Sequence, residues 1–177
     1  MTPASDRHVA EVRFRSVFSH LGAVAAYARR RGSWDADAVA AEAMTIAWRR
    51  LADVPEDDPR PWLYATARNL LLAEARRSAS PAGTAAEPIQ PAPELHEIDP
   101  RLGAALRSLS HFDCEALLLV AWEDLTPTQA AQALGINPTA FRVRLLRARR
   151  RLRAALGEER ENDLRPAPAA QLDLEKT

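Results

Sequence analysis

Residues 125–152 read LTPTQAAQALGINPTAFRVRLLRARRRL, a stretch dense in helix starts and stops. Thr126 is a favoured N-cap residue, Pro127 suits a first helical position, and Gln129 follows the cap at the spacing of a capping box. Such a cap contributes on the order of 1 kcal/mol. Ala130, Ala131 and Leu134 then turn one apolar face inward. Gly135 stands where a helix end favours a left-handed residue. Asn137 caps a second helix and Pro138 opens it. Two capped helices around a short turn, with small residues at Ala131 and Gly135 where they cross, predict a helix-turn-helix.

The second helix runs into a basic stripe. Residues 142–153, RVRLLRARRRLR, hold seven arginines and no acid. Phe141, Leu145 and Leu152 keep an apolar spacing toward the core. A recognition helix presents its N-terminal residues to base edges in the major groove. Here those are Thr139, Ala140, Arg142 and Val143, with Arg144 close behind. Arginine can bind guanine bidentately and threonine can touch a thymine methyl group. Arg147, Arg149, Arg150 and Arg151 point in several directions, and some are placed for phosphates, which position a protein without reading sequence.

Working outward, the formal net charge of the 177-residue chain is zero, but the charges are segregated. Acids gather at residues 53–58, 87–99 and 158–163, away from the arginine stripe, so the neutral total conceals a basic surface. Hydrophobic residues make up 47% of the chain, enough for a core. Cys114 is the only cysteine, which excludes an intrachain disulfide and any multi-cysteine zinc site, and it reads as a structural thiol. The four histidines show no ligand spacing, and no cofactor is expected. There are no paired carboxylates in a pocket-like context and no phosphate-cradling glycine loop, so an enzyme is not expected. No apolar run suits a membrane span and no basic-then-apolar leader opens the chain, so the expected location is the cytoplasm.

The chain divides at residues 78–100, SASPAGTAAEPIQPAPELHEIDP, whose prolines and small residues predict a flexible linker. Before it, residues 9–77 read as an all-helical domain. One helix is predicted over residues 12–31, with Phe14, Val17, Phe18, Leu21, Val24, Ala25 and Ala28 in step, ended by Gly32. Ser33 or Asp35 starts the next, with Val39, Met44, Ile46, Ala47, Trp48 and Leu51 as its apolar residues. An acidic loop with Pro55 and Pro59 follows. Pro61 then opens a helix that carries Trp62, Leu63, Ala67 and Leu70 or Leu71 inward. Trp48 and Trp62 read as core rather than as base-stacking residues. After the linker, residues 101–156 form a second helical domain, with short helices around Leu102–Leu109 and Phe112–Trp122 ahead of the helix-turn-helix. Residues 157–177 read as a polar, frayed tail. The fold class expected is therefore all-α, two small helical domains joined by a linker. Domains this small bury only about 60% of their unfolded surface, which suits a protein that works docked on a larger partner.

The helix-turn-helix segment resembles the C-terminal domain, region 4, of extracytoplasmic-function sigma factors of the sigma-70 family. Phe141 stands where valine is usual, Arg144, Arg147, Ala148 and Arg149 follow in step, and Leu146 stands where histidine is common. DADAVAAEAMTIAWRRL (35–51) is similar to that family's core-binding helix, and RPWLYATARNLLLAEARR (60–77) to its promoter-melting helix in region 2. The spacing between Trp48, Trp62, Arg68, Asn69 and Arg77 is kept.

The resemblance implies a sigma factor that binds bacterial core RNA polymerase and promoter DNA. It places Asp35, Asp37, Glu42 and Trp48 on or beneath the polymerase-binding helix. It places Asp53, Pro55 and Arg60 in a loop that selects a flipped minus-ten base, and Arg68, Asn69, Arg76 and Arg77 along the opened strand. Arg76 and Arg77 equally suit a helix C-terminus. Thr139, Ala140, Arg142, Val143, Arg144, Arg147, Arg149 and Arg150 would meet the minus-thirty-five duplex, with Arg144 also able to face the polymerase flap. An anti-sigma factor is a further partner it implies. One departure stands out: Asp37 is followed by Ala38 where the family commonly has two adjacent acids. The alternative reading is a helix-turn-helix regulator that binds duplex DNA without polymerase.

Overall fold

The computed structural model describes residues 3–78 and 99–163; the expected linker lies almost wholly outside them. All regular elements among the described residues are helical, as expected. The first group comprises α1 (Pro3–Phe18), α2 (Leu21–Arg29), α3 (Ala36–Arg49), a single 3₁₀ turn (Leu51–Asp53) and α4 (Arg60–Ser78). The second comprises α5 (Pro100–Ser108), α6 (His111–Ala121), α7 (Pro127–Leu134) and α8 (Pro138–Asp163). No helix among the described residues is long and apolar enough to cross a membrane.

Two expectations are corrected. The single helix expected over residues 12–31 is two helices, broken at Ser19 and His20. Ser19 donates its hydroxyl to the Ser16 carbonyl at 2.6 Å, and the His20 amide bonds back to Val17. A serine competing in this way for backbone groups favours a bend over continuation. The break lets α2 turn Val24, Ala25, Tyr27 and Ala28 into the core against α3. The second correction concerns the tail: α8 continues through Gly157 to Asp163. One glycine inside a helix costs only about 1 kcal/mol, and the residues on either side, Ala155 and Leu156 before it and Glu158 and Glu159 after it, are good helix formers.

The predicted stops and starts are otherwise realised by local hydrogen bonds. Gly32 ends the α2 segment at φ 75°. Asp35 caps α3 by accepting from the Ala38 amide at 3.0 Å. Asp99 accepts from the Arg101 amide at 2.8 Å ahead of α5, and Ser110 accepts from the Asp113 amide ahead of α6. Thr126 and Gln129 complete the capping box of α7: the Thr126 hydroxyl accepts from the Gln129 amide at 3.3 Å, and Gln129 Oε1 accepts from the Thr126 amide at 2.8 Å. Gly135 closes α7 in the left-handed conformation, φ 65° and ψ 33°. Its amide returns to Gln132, and the Ile136 amide returns to Ala131. Asn137 caps α8 by accepting from the Thr139 amide at 2.7 Å.

Packing joins everything into one core. Val17, Val24, Tyr27, Ala40, Met44, Leu63, Ala67 and Leu71 from the first group are continuous with Leu106, Leu117, Leu119, Ala130, Phe141, Leu145 and Ala148 from the second. Tyr27 stacks on Tyr64 at 4.8 Å between centroids and fixes α2 on α4. Burial pushes the Tyr64 hydroxyl up to about 12 and raises Tyr27 further, so both phenols stay neutral. The two groups touch directly, chiefly where α4 meets α7.

Two expected outcomes test this packing. Burial pushes the Cys114 thiol up to about 11, so near neutral pH almost none of it is thiolate. Iodoacetamide at pH 7.5 is expected to leave Cys114 unmodified in the folded chain and to label it fully in denaturant, as read by intact mass. At Gly135 an added Cβ would meet no atom within 4 Å, so the cost of Gly135→Ala comes from its backbone conformation alone. The substitution is expected to destabilise the chain by about 1–2 kcal/mol in denaturant titrations, and Gly135→Asn by less.

Candidate nucleic-acid interface

Helix α8 carries the outward surface. Phe141, Leu145 and Ala148 are buried at helical spacing and seat it on the core. The turns that face outward hold Thr139, Ala140, Arg142, Val143, Leu146, Arg147, Arg149 and Arg150, all exposed. Arg142, Arg147, Arg149 and Arg150 have no acidic partner within ion-pair distance among the described residues, as a surface awaiting phosphate requires. Arg144 differs: it is half-buried, and its guanidinium lies 5.2 Å from the centre of the Phe112 ring. Arg151 is tied to the buried carboxylate of Asp113 and so anchors α8 on α6. The recognition helix thus divides its arginines between outward-facing and structural duties.

In the first group, the residues expected to meet an opened strand lie along α4 and the loop before it. Asn69, Arg76 and Arg77 are exposed. Arg60 is half-buried and pairs bidentately with Asp58, with Nη2 2.9 Å from Oδ2 and Nε 3.0 Å from Oδ1. Those hydrogen bonds hold the Asp58 carboxyl below its ordinary value. Asp53 pairs with Arg50 at 2.8 Å, and Pro55 is exposed. Arg13 of α1 braces this loop by donating to the Val54 carbonyl. On α3, Asp37 and Glu42 are exposed while Asp35 is engaged as the cap. Trp48 is 42% exposed, edge-on to Phe14 at 5.0 Å, and so is not the core residue its spacing suggested. Trp62 is half-buried against the core. Trp34, just before α3, is 91% exposed.

Arg68 is held elsewhere. Its Nε lies 2.9 Å from Glu115 Oε1 on α6, and the two side chains are 15% and 2% exposed. A second cross-group cluster sits beside it. Glu123, following α6, accepts from Arg30 at 2.5 Å and from Arg31 at 3.1 Å, all three buried. Arg31 also lies flat over the Tyr27 ring at 3.5 Å. Gln129 Nε2 donates to Asp58 Oδ2 at 2.7 Å, a further polar tie between the groups. Tyr27, Arg30, Arg31, Glu115 and Glu123 were missed in the sequence. The signal available was a pair of arginines in phase with a buried stripe and acids beside the ALLLV run, where unpaired charge is not tolerated.

Residues 101–152 match the family described as Sigma-70, region 4. No curated protein matches the chain. Among solved structures, the chain is similar to CnrH in complex with the cytosolic domain of CnrY, at 27% identity, a TM-score of 0.59, and coverage of 82% of this chain and 88% of that one. It is also similar to the sigma factor RpoE in complex with the anti-sigma factor NepR from Bartonella quintana, at 22% identity, a TM-score of 0.58, and coverage of 81% and 95%. Region 4 at the C-terminal end, and a helical architecture similar to these structures over most of the chain, support a place among the extracytoplasmic-function sigma factors of the sigma-70 family.

Proposed function

We propose that the chain is a sigma factor that binds bacterial core RNA polymerase and directs it to promoters, working in the cytoplasm by binding alone. The observation that carries this reading is α8: a region 4 recognition helix whose early outward residues are exposed and whose outward arginines have no acidic partner among the described residues. Thr139, Ala140, Arg142 and Val143 would read the minus-thirty-five duplex, while Arg147, Arg149 and Arg150 would sit on phosphates. Arg144, resting on Phe112, is better placed to orient the helix than to reach a base.

Residues 9–77 would act as the unit that engages polymerase and the minus-ten element, and residues 101–156 as the minus-thirty-five unit. Trp34, Asp37, Glu42 and Trp48 offer an exposed acidic and aromatic surface along α3 for the polymerase clamp. Asn69, Arg76 and Arg77 would hold the opened strand, joined by Arg68 once it is free, with Asp53, Pro55 and Arg60 at the loop that receives a flipped base. Stacking of a captured base on an aromatic side chain contributes about 1–3 kcal/mol per base, and phosphate contacts add to it. CnrH is bound to the cytosolic domain of CnrY and RpoE to the anti-sigma factor NepR. By that likeness a small regulatory protein is a further partner.

Mixed with sigma-free core polymerase from its source, the full chain is expected to co-elute in gel filtration. Elution apart from an active core enzyme, with duplex binding retained, would replace this reading by that of a plain helix-turn-helix regulator. Arg142→Ala is expected to weaken binding to the minus-thirty-five duplex by about 1–3 kcal/mol and to relax sequence preference. Arg149→Ala and Arg150→Ala are instead expected to weaken all duplexes alike, each lowering the slope of log K against log salt by about 0.9. Fluorescence anisotropy across a salt series separates the two behaviours.

A further inference from the structure

The polar ties between the two helical groups run mainly in one direction of charge. The first group supplies Arg30, Arg31 and Arg68; the second supplies Glu115 and Glu123. We infer that Glu115 and Glu123 form a latch that holds the second group against the first and occupies Arg68, so that the chain must open before that arginine can take a DNA strand. The part concerning DNA rests on the assignment of Arg68 proposed above; the part concerning closure does not.

The chemistry of the contact supports a latch rather than a permanent joint. A carboxylate and a phosphate oxygen compete for the same guanidinium edge. With Glu115 at 2.9 Å and the Arg68 side chain only 15% exposed, a strand phosphate would have to displace the carboxylate to reach its Nε in the closed chain. The neighbouring arginines Arg30 and Arg31 are closed off in the same way by Glu123. The arrangement is also incompletely satisfied. Arg31 Nε and Nη2, Glu115 Oε2 and the Tyr27 hydroxyl are buried with no hydrogen-bond partner among the described residues. His111 approaches Glu115 Oε2 no closer than 3.7 Å. Buried ion pairs of this kind add little net stability, because desolvation offsets much of their attraction. Opening returns every one of these groups to water, so the balance between closed and open states is one that binding can tip. A single strand that binds only the open state shifts the population toward it.

The test compares the full wild-type chain with Glu115→Gln/Glu123→Gln, which keeps side-chain shape and removes both charges. Small-angle scattering reads closure, and anisotropy with a short labelled single-stranded DNA of mixed sequence reads access to Arg68. The expected result is a larger radius of gyration for the variant and about tenfold tighter strand binding. Adding Arg68→Ala should abolish that gain. Unchanged scattering and affinity overturn the latch. Expansion without tighter strand binding, or a gain that survives Arg68→Ala, overturns the claim that closure withholds Arg68. Co-elution with core polymerase, measured in parallel, reports on the sigma reading separately. Glu115→Gln alone carries the same test if circular dichroism shows that the double variant loses helix.

Discussion

A carboxylate removed from water must be neutralised where it sits. Glu123 is 5% exposed and lies in a turn between two helices, so its position is set by the arginines it can reach. It accepts from both Arg30 and Arg31, the two residues that follow α2. That demand brings the end of α2 to the end of α6. Nearby, Glu115 draws in Arg68 of α4 under the same rule. The relative placement of the two helical groups follows from these pairs and from the small apolar faces that meet where α4 packs on α7.

This constraint explains an apparent contradiction in the charge distribution. A chain with a formal net charge of zero carries an arginine-rich helix, and among the described residues its acids pair with one arginine of that helix, Arg151. Some acids are spent inside the protein. Asp113 holds Arg151, Glu115 holds Arg68, and Glu123 holds two arginines at once. The outer face of α8 over residues 142–150 is basic because that stretch holds no acid and the acids of α6 that pair do so with Arg151 and Arg68. The outward arginines therefore keep their attraction for phosphate without opposing carboxylates beside them, which the field of a nucleic-acid-binding surface requires.

The packing also distributes roles within single helices. On α8, Phe141, Leu145 and Ala148 seat the helix, Arg151 pins its later turns, and Arg144 rests on Phe112. On α4, Leu63, Tyr64, Ala67 and Leu71 fill the core, Arg68 crosses to the other group, and Asn69, Arg76 and Arg77 face solvent. Neighbouring residues of like chemistry thus do different work, and their separation depends on helical phase and on what stands opposite.

The helices and many of their boundaries were legible in the sequence, because caps and turns are made within a few residues of one another. Thr126 and Gln129, Asp35, Asn137, Gly32 and Gly135 each act on backbone groups close in the chain, so their identity determines local geometry. The inward stripe of α8 was legible for the same reason, through its period. The break at Ser19 was masked by an apolar spacing that continues across it. The partners of Arg30, Arg31 and Arg68 were not legible at all. Arg30 and Glu123 are 93 residues apart, and Arg68 and Glu115 are 47 apart. No periodicity encodes which buried acid meets which arginine; only the packing of α4 and α7 brings them together. Caps and apolar period were enough to specify an all-α chain ending in an arginine-rich helix. Which arginines face solvent and which are held by acids depended on packing, because a buried charge must find a partner.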